Sequence, residues 1–236
     1  MSWKKPMKGI DVENQLDNVI FPKFVQPKYD GIRVIFYNGI ALSSSFKPLG
    51  NEMLQRTAHV FSELDGVECE YYIPPSEGGF REATSICRNA DRKDVGKGVL
   101  YAFDIFSPVM SYNDRLHKLD TIIHKAAKSL NIAIAPTWKV RHKQEVQSYL
   151  KLMLENSFEG IMLKDPEALY KQGRSTIKSQ ECLKYQLPFW VSGFTMEQKE
   201  AMWLTRDKLV GRKLCFKHQP CGCYDAPRHP IFRRWL

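Results

Sequence analysis

Two glycine turns cut residues 23–42 into three extended runs, and this punctuation limits the possible folds more than any other feature of the chain. Lys23-Phe24-Val25-Gln26-Pro27 is strand-like and delivers Lys28 to a turn at Asp30-Gly31, after which Val34-Ile35-Phe36-Tyr37 leaves as a second strand. Asn38-Gly39 then separates that strand from Ile40-Ala41-Leu42, and Asn-Gly between apolar runs is the strongest short hairpin signal. Lys28 is thus held at a strand end by backbone, with a second cation, Arg33, five residues on. A free lysine titrates near pH ~10.4, so almost none of it is a nucleophilic amine at neutrality. Nearby positive charge or desolvation frees the amine. Taken alone, Lys28 to Arg33 fits a reactive lysine, and it also fits a glycine-assisted hairpin with two solvated cations.

The rest of the chain alternates short strands with amphipathic helices. Residues 67–73 alternate as a strand, which Pro74-Pro75 ends, and Glu77-Gly78-Gly79 reads as flexible. Residues 81–98 are polar and basic and read as a surface loop, followed by an apolar strand from Gly98 to Ile105. Over residues 115–130, Leu116, Leu119, Ile122, Ile123, Ala126 and Leu130 share one helical face. A short strand runs from Ile132 to Ala135 and stops at Pro136. Residues 143–155 form a second helix with Val146, Leu150, Met153 and Leu154 inward. Gly160–Lys164 and Leu183–Gln186 are further strands. Leu187-Pro188 and the polar stretch Thr195 to Lys199 place a boundary near residues 186–193, so we divide the chain into 1–188 and 189–236. The tail reads as short strands, Leu209 to Lys217 and Ile231 to Trp235, in a β-domain too short to be a complete barrel with long loops.

With 236 residues, 43% of them hydrophobic and 12% aromatic, the chain can bury one large core or a medium and a small one. A net charge of +9 suits a polyanion, usually nucleic acid, with a membrane surface as the competing reading. No apolar run is long enough to span a bilayer, and Met1 to Lys8 lacks the apolar centre of a signal peptide. A soluble, cytoplasmic protein is expected, and scattered cysteines fit a reducing compartment. Cys215, His218, Cys221 and Cys223 place four soft ligands in nine residues, as zinc sites do, but their irregular spacing and Gly222 favour a plain hairpin tip.

Charged residues recur at strand ends. Glu68-Cys69-Glu70 puts two carboxylates on one strand face, and Phe103-Asp104 ends the strand from Gly98. Glu159-Gly160-Ile161-Met162-Leu163-Lys164 flanks an apolar strand with acid and base, and Leu183-Lys184-Tyr185-Gln186 carries another lysine. Each alone would be a solvated strand end. The ordered set, from residue 23 to 186, resembles the covalent nucleotidyltransferases: ATP-dependent DNA ligases, RNA ligases and mRNA capping enzymes. Lys47-Pro48-Leu49-Gly50-Asn51, Tyr170-Lys171-x-Gly173-Arg174-Ser175-Thr176-Ile177-Lys178 and Pro227-Arg228-His229-Pro230-Ile231-Phe232 are similar to segments of the short DNA ligases of tailed bacteriophages. The Glu159-Gly160 pair favours ligases over capping enzymes, which tend to carry Asp-Gly there.

That resemblance implies an α+β fold: an ATP-grasp-like nucleotidyltransferase domain of antiparallel sheets flanked by helices, then a reduced OB-like domain. It implies that Lys28 takes AMP from ATP as a phosphoramidate, passes it to a 5′-phosphate at a nick, and that a 3′-hydroxyl then displaces it. Gln26 and Pro27 would bind nucleotide beside Lys28, Arg33 would contact sugar or nick phosphate, Glu70 would hold the ribose, and Phe103 would stack on adenine. Glu159 would position Mg²⁺ or Mn²⁺, while Lys164 and Lys184 would hold phosphates, since phosphoryl transfer is mostly positioning and charge neutralisation. Nicked duplex DNA is the expected partner, a monomer the expected state, and replication or repair in a host cytoplasm the expected setting. Arg81, Arg88, Arg92, Lys93 and Lys97 could track a phosphate backbone or be a solvated loop, and Arg228, Arg233 and Arg234 are similar. No base-reading motif is present, so binding should be sequence-independent and salt-sensitive.

The chain departs from the family pattern in places. Ser44 stands where many relatives have arginine, and Gln186 replaces the second lysine of a Leu-Lys-x-Lys motif. Glu68 stands where the family's Asp-Gly-Glu has its aspartate. No final Arg-x-Asp-Lys motif is clear. Two alternatives stay open beside a DNA ligase: an RNA ligase, told apart by recognition of the 2′-hydroxyl, and a ligase-fold nucleic-acid-binding protein without catalysis.

Overall fold

The computed structural model describes residues 3–12, 15–186, 201–202, 204–205, 208, 214–219 and 228–235, the last two stretches as backbone only. The chain divides into two compact units, Met1–Tyr185 and Gln186–Leu236. In chain order the first unit opens with β1 (Met7–Lys8), β2 (Ile10–Asp11), β3 (Lys23–Lys28), β4 (Ile32–Tyr37) and β5 (Ile40–Leu42). Helix α1 (Glu52–Val60), β6 (Val67–Tyr72), α2 (Gly79–Arg88), β7 (Val99–Ile105) and α3 (Tyr112–Ala126) follow. The unit closes with β8 (Ile132–Ile134), β9 (Trp138–Val140), α4 (Lys143–Glu155), β10 (Gly160–Lys164), β11 (Gly173–Arg174) and β12 (Cys182–Tyr185).

These strands build two five-stranded sheets, β2-β12-β10-β3-β9 and β5-β4-β6-β7-β8, plus the small pair β1-β11. Pairing is mostly antiparallel, with β7·β8, β12·β2 and β1·β11 parallel. The first sheet packs Val25, Ile161 and Leu183 against Val146, Leu150 and Met153 of α4. The second packs Val34, Cys69 and Ala102 against Leu54 of α1, Ile86 of α2 and Leu119 of α3. This is the α+β arrangement of antiparallel sheets and helices expected from the sequence. Among the described residues no helix is long and apolar enough to cross a membrane.

The segment read as a loop over residues 81–98 is corrected: its first part is helix α2, with Gly79, Ala83, Ile86 and Cys87 buried. Those apolar positions recur at helical spacing, but the interleaved charges mask the period. Helix α1 had no clear apolar stripe; it starts because the Asn51 carboxamide oxygen accepts from the amides of Met53 and Leu54 at 3.0 and 3.1 Å. The Asn51 amide nitrogen in turn donates to the carbonyls of Ile86, Asn89 and Arg92, tying α1 to the end of α2. Gly50 permits that approach, since a Cβ there would lie 2.4 Å from the Arg88 carbonyl oxygen. Helix α3 begins earlier than its apolar period suggests, because Ser111 caps it by accepting from the Asp114 amide at 3.2 Å.

In the second unit β13 (Leu214–Gln219) pairs antiparallel with β14 (Arg228–Trp235). Of Cys215 and His218 only backbone is described, and Cys221 and Cys223 lie outside the described residues, as do residues 187–200. Arg228, Arg233 and Arg234 stand on β14, likewise as backbone.

Candidate active site

The two sheets share a cavity of about 230 Å³, lined by Gln26, Pro27, Lys28, Arg33, Glu70, Phe103, Glu159 and Lys164 among others. Strand pairing explains the convergence. Lys28 ends β3 and stands opposite Gly160, which starts β10, and the Glu159 amide donates to the Lys28 carbonyl at 3.0 Å. The Lys28 ammonium forms an ion pair with the Glu159 carboxylate, both side chains being partly buried. Gly31 lets the chain leave this strand end for the second sheet: a Cβ there would lie 2.5 Å from the Tyr71 carbonyl oxygen. β4 then pairs with β6, bringing Arg33 opposite Glu70.

The electrostatics favour a reactive amine. Burial, then the nearby charge of Lys184, lowers the Lys28 pKa to about 8, against Glu70, Asp30 and Asp11, which raise it. At pH 7 a group titrating near 8 is about one-tenth neutral, against well under a thousandth for an unperturbed lysine. The ion pair with Glu159 works the other way, so the amine is released when that pair opens. Burial pushes Glu70 up to about 7, although Arg33 and Lys28 oppose it.

A second set of charges is locked. The Arg33 guanidinium is paired with the fully buried Glu68 and donates to the Met7 carbonyl at 2.9 Å. Tyr170 donates its hydroxyl to Glu68. Burial raises Glu68, whereas Arg33 stays charged despite burial because Glu68 sits beside it. Lys164 donates to Asp104 at 2.8 Å, and Arg115 holds the same carboxylate at 2.7 Å from Nε and 3.3 Å from Nη2. Burial opposes the Asp104 charge, but Lys164 and Arg115 outweigh it and hold the carboxyl below its usual range. Phe103 lies under both cation sets: Arg33 Cζ and Lys164 Nζ are each 5.1 Å from its ring centroid.

A β-bulge sets Phe103 and Asp104 in place together. Glu68 pairs with Asp104 and Cys69 with Ala102, which leaves Phe103 unpaired. Adjacent strand residues normally face opposite ways, and a bulge re-aims one of them. Here both line the cavity.

Of the residues singled out from sequence, Lys184 is outside the cavity lining; it pairs with Asp11 at 3.3 Å and acts on Lys28 by charge. Arg81 and Arg88 stand exposed on α2 rather than on a loop. Arg92 is tied to Glu82 at 2.7 Å and to Asp94 at 2.5 Å, Lys97 to Glu82 at 3.2 Å, and Lys93 to Glu52 at 3.5 Å, so these cations are less free for a phosphate than a bare loop would leave them. Ser44 is exposed, and Gln186 keeps a buried carbonyl oxygen without a hydrogen-bond partner. Sequence reasoning gave no role to Arg115 or Tyr170, whose spacing from Asp104 and Glu68 is visible only in three dimensions.

Among the described residues no cluster of three or more His, Cys, Asp or Glu could hold an ion. The oxygen donors of Glu159 and Glu70 nevertheless suit Mg²⁺, which keeps several waters and takes one or two carboxylates plus substrate phosphates.

The family model for the ATP dependent DNA ligase domain matches residues 5–185. In fold the chain is similar to the Chlorella virus DNA ligase-adenylate, with TM-score 0.69 and 24% identity over 100% of this chain and 99% of that one. It is similar to the ATP-dependent DNA ligase of bacteriophage T7 in complex with ATP, with TM-score 0.58 and 13% identity over 99% of each chain. A Lig E DNA ligase, described as binding DNA with a minimal scaffold, matches with TM-score 0.60 and 17% identity over 97% of this chain and 99% of its own. No curated protein matches the chain.

Proposed function

The chain belongs to the ATP-dependent DNA ligases, and on that premise we propose that it seals nicks in duplex DNA with Lys28 as the nucleophile. The observation that carries this reading is the Lys28–Glu159 pair at the mouth of two strands, in a cavity whose other wall holds Arg33, Glu70 and Phe103. In the first step Lys28 Nζ attacks the α-phosphorus of ATP. An N–P bond forms, the P–O bond to pyrophosphate breaks, and the amine gives up its proton. A 5′-phosphate oxygen at the nick then displaces the lysine, and the 3′-hydroxyl finally expels AMP.

The roles follow from chemistry and placement. Phe103 offers adenine a flat face, with Gln26 and Pro27 beside it. Glu70 accepts from the ribose. Arg33 keeps a buried Nε–H without a partner, a donor suited to a ligand oxygen. Lys164 and Lys184 neutralise phosphate charge. Glu159 would hold a Mg²⁺ or Mn²⁺ ion once it releases Lys28, and such an ion screens the phosphate oxygens. Arg81 and Arg88 are the better-placed candidates for the DNA backbone, with Arg92, Lys93 and Arg228 behind them. The same reading makes the protein a cytoplasmic monomer with a reduced OB-like domain after the nucleotidyltransferase domain. Three buried free thiols, Cys69, Cys87 and Cys182, fit a reducing compartment.

The test is intact mass after ATP and Mg²⁺, beside Lys28→Ala and the as-purified protein. An AMP-sized adduct on the wild type alone is expected, followed by sealing of a nicked DNA duplex faster than of one carrying RNA at the nick. If neither protein carries AMP, with Mn²⁺ and GTP also tried, the assignment fails.

A further inference from the structure

Four aromatic rings pack behind the nucleophile without a task in the scheme above. Tyr29 follows Lys28, Phe158 precedes Glu159, and their rings meet edge to face with centroids 5.3 Å apart. The pair that carries charge is thus repeated by its neighbours as a pair of rings. The other two rings come from the second sheet, Tyr72 at the end of β6 and Tyr101 on β7. Tyr101 lies flat on Tyr29, at 4.4 Å and an interplanar angle of 11°. Tyr72 meets Tyr29 at 5.3 Å and Phe158 at 5.9 Å. Tyr29 is 8% exposed and lines the cavity.

These contacts join the first sheet, which carries Lys28 and Glu159, to the second, which carries the candidate nucleotide-binding residues. Stacked and edge-on rings hold one another at defined distance and tilt. Attack geometry is sensitive to such placement: a shift of about 1 Å can slow a reaction roughly 100-fold. We propose that Tyr101, assisted by Tyr72, is a positioning residue for the adenylation step, holding Tyr29 and Phe158 so that Lys28 and Glu159 face the nucleotide at the distance the attack requires. The inference rests on Lys28 being the nucleophile. The rings neither give nor take a proton; the bonds made and broken are those of the lysine attack on ATP. The bland alternative is a core patch whose loss weakens the whole unit.

Two steps separate these readings, because sealing a nick that is already adenylated does not use Lys28 as a nucleophile. Tyr101→Ala should slow single-turnover AMP transfer at saturating ATP by about tenfold or more, change the half-saturating ATP concentration by less than about twofold, and leave sealing of pre-adenylated nicked DNA within about twofold. Tyr101→Phe, which keeps the ring, should restore the rate. Phe158→Leu, which keeps most of the volume and removes the ring, should repeat the Ala result and stands in if Tyr101→Ala does not fold. Equal losses in both steps, a Tyr101→Phe variant as slow as Tyr101→Ala, or an unimpaired Tyr101→Ala would each overturn the inference alone, provided the wild type takes AMP. A wild type that takes none overturns the ligase mechanism as well.

Discussion

On the first sheet, Lys28 and Lys184 each meet one carboxylate, and their side chains are 19% and 28% exposed. On the second, Asp104 and Glu68 are no more than 1% exposed, and each is held by two groups or more. A partly exposed ion pair with a single carboxylate is held less tightly than a buried network and can open. A buried one cannot lose a member without stranding the other charge. Lys28 and Lys184 are therefore placed to change partner during a reaction, and Asp104 and Glu68 are placed not to. Lys164 crosses the divide: it belongs to β10 but is anchored on Asp104 of β7.

Perturbing each side should give a different kind of loss. Asp104→Asn leaves Lys164 and Arg115 buried without their shared counter-charge, and should lower the unfolding free energy by about 3–5 kcal/mol, read from urea denaturation. A midpoint close to wild type would show that this network is not the frame we take it for. Glu159→Gln should act on rate instead: AMP transfer should fall about 100-fold, while stability falls by less than for Asp104→Asn, because Lys28 keeps access to solvent. A large drop in stability there would erase the contrast between the sheets. The pH profile of AMP transfer sharpens it further. Because burial and Lys184 bring Lys28 down to about 8, the rate should rise with pH, about tenfold per unit well below that value, and level off above it. Levelling only near the free-lysine value would mean that the first sheet does not desolvate its nucleophile. The smallest effect is expected outside both sheets, where Arg81→Ala and Arg88→Ala together should weaken DNA binding alike on all sequences and reduce the logarithmic salt slope by about two.

The first sheet was the more legible of the two in the sequence. Lys28 precedes the Asp30-Gly31 turn, Glu159 precedes Gly160 and Lys164 closes the apolar run from Gly160, so all three announce themselves locally. Helix α4 matched its apolar period over residues 143–155. The second sheet depends on what lies far away in the chain. Asp104 looked like a strand end, yet it is a buried anchor because α3 brings Arg115 to it. Nothing in the sequence around Tyr170 gives it a role; folding places its hydroxyl on Glu68 across 102 residues. Helices α1 and α2 are hard to read from sequence because their apolar faces are short, and because what orders them is Asn51 buried between them.

The bulge in β7 has one further consequence. Phe103, offered to the nucleotide, and Asp104, sunk in the charge network, share a peptide plane, and the bulge turns both toward the cavity. Inserting or deleting a residue in this strand would slide the pair as a unit, and the base platform could not move without dragging the anchor. Anyone seeking to retune the purine preference of this protein by shifting β7 would lose the scaffold first. Changes of side chain at position 103, with the backbone left alone, are the route this architecture keeps open.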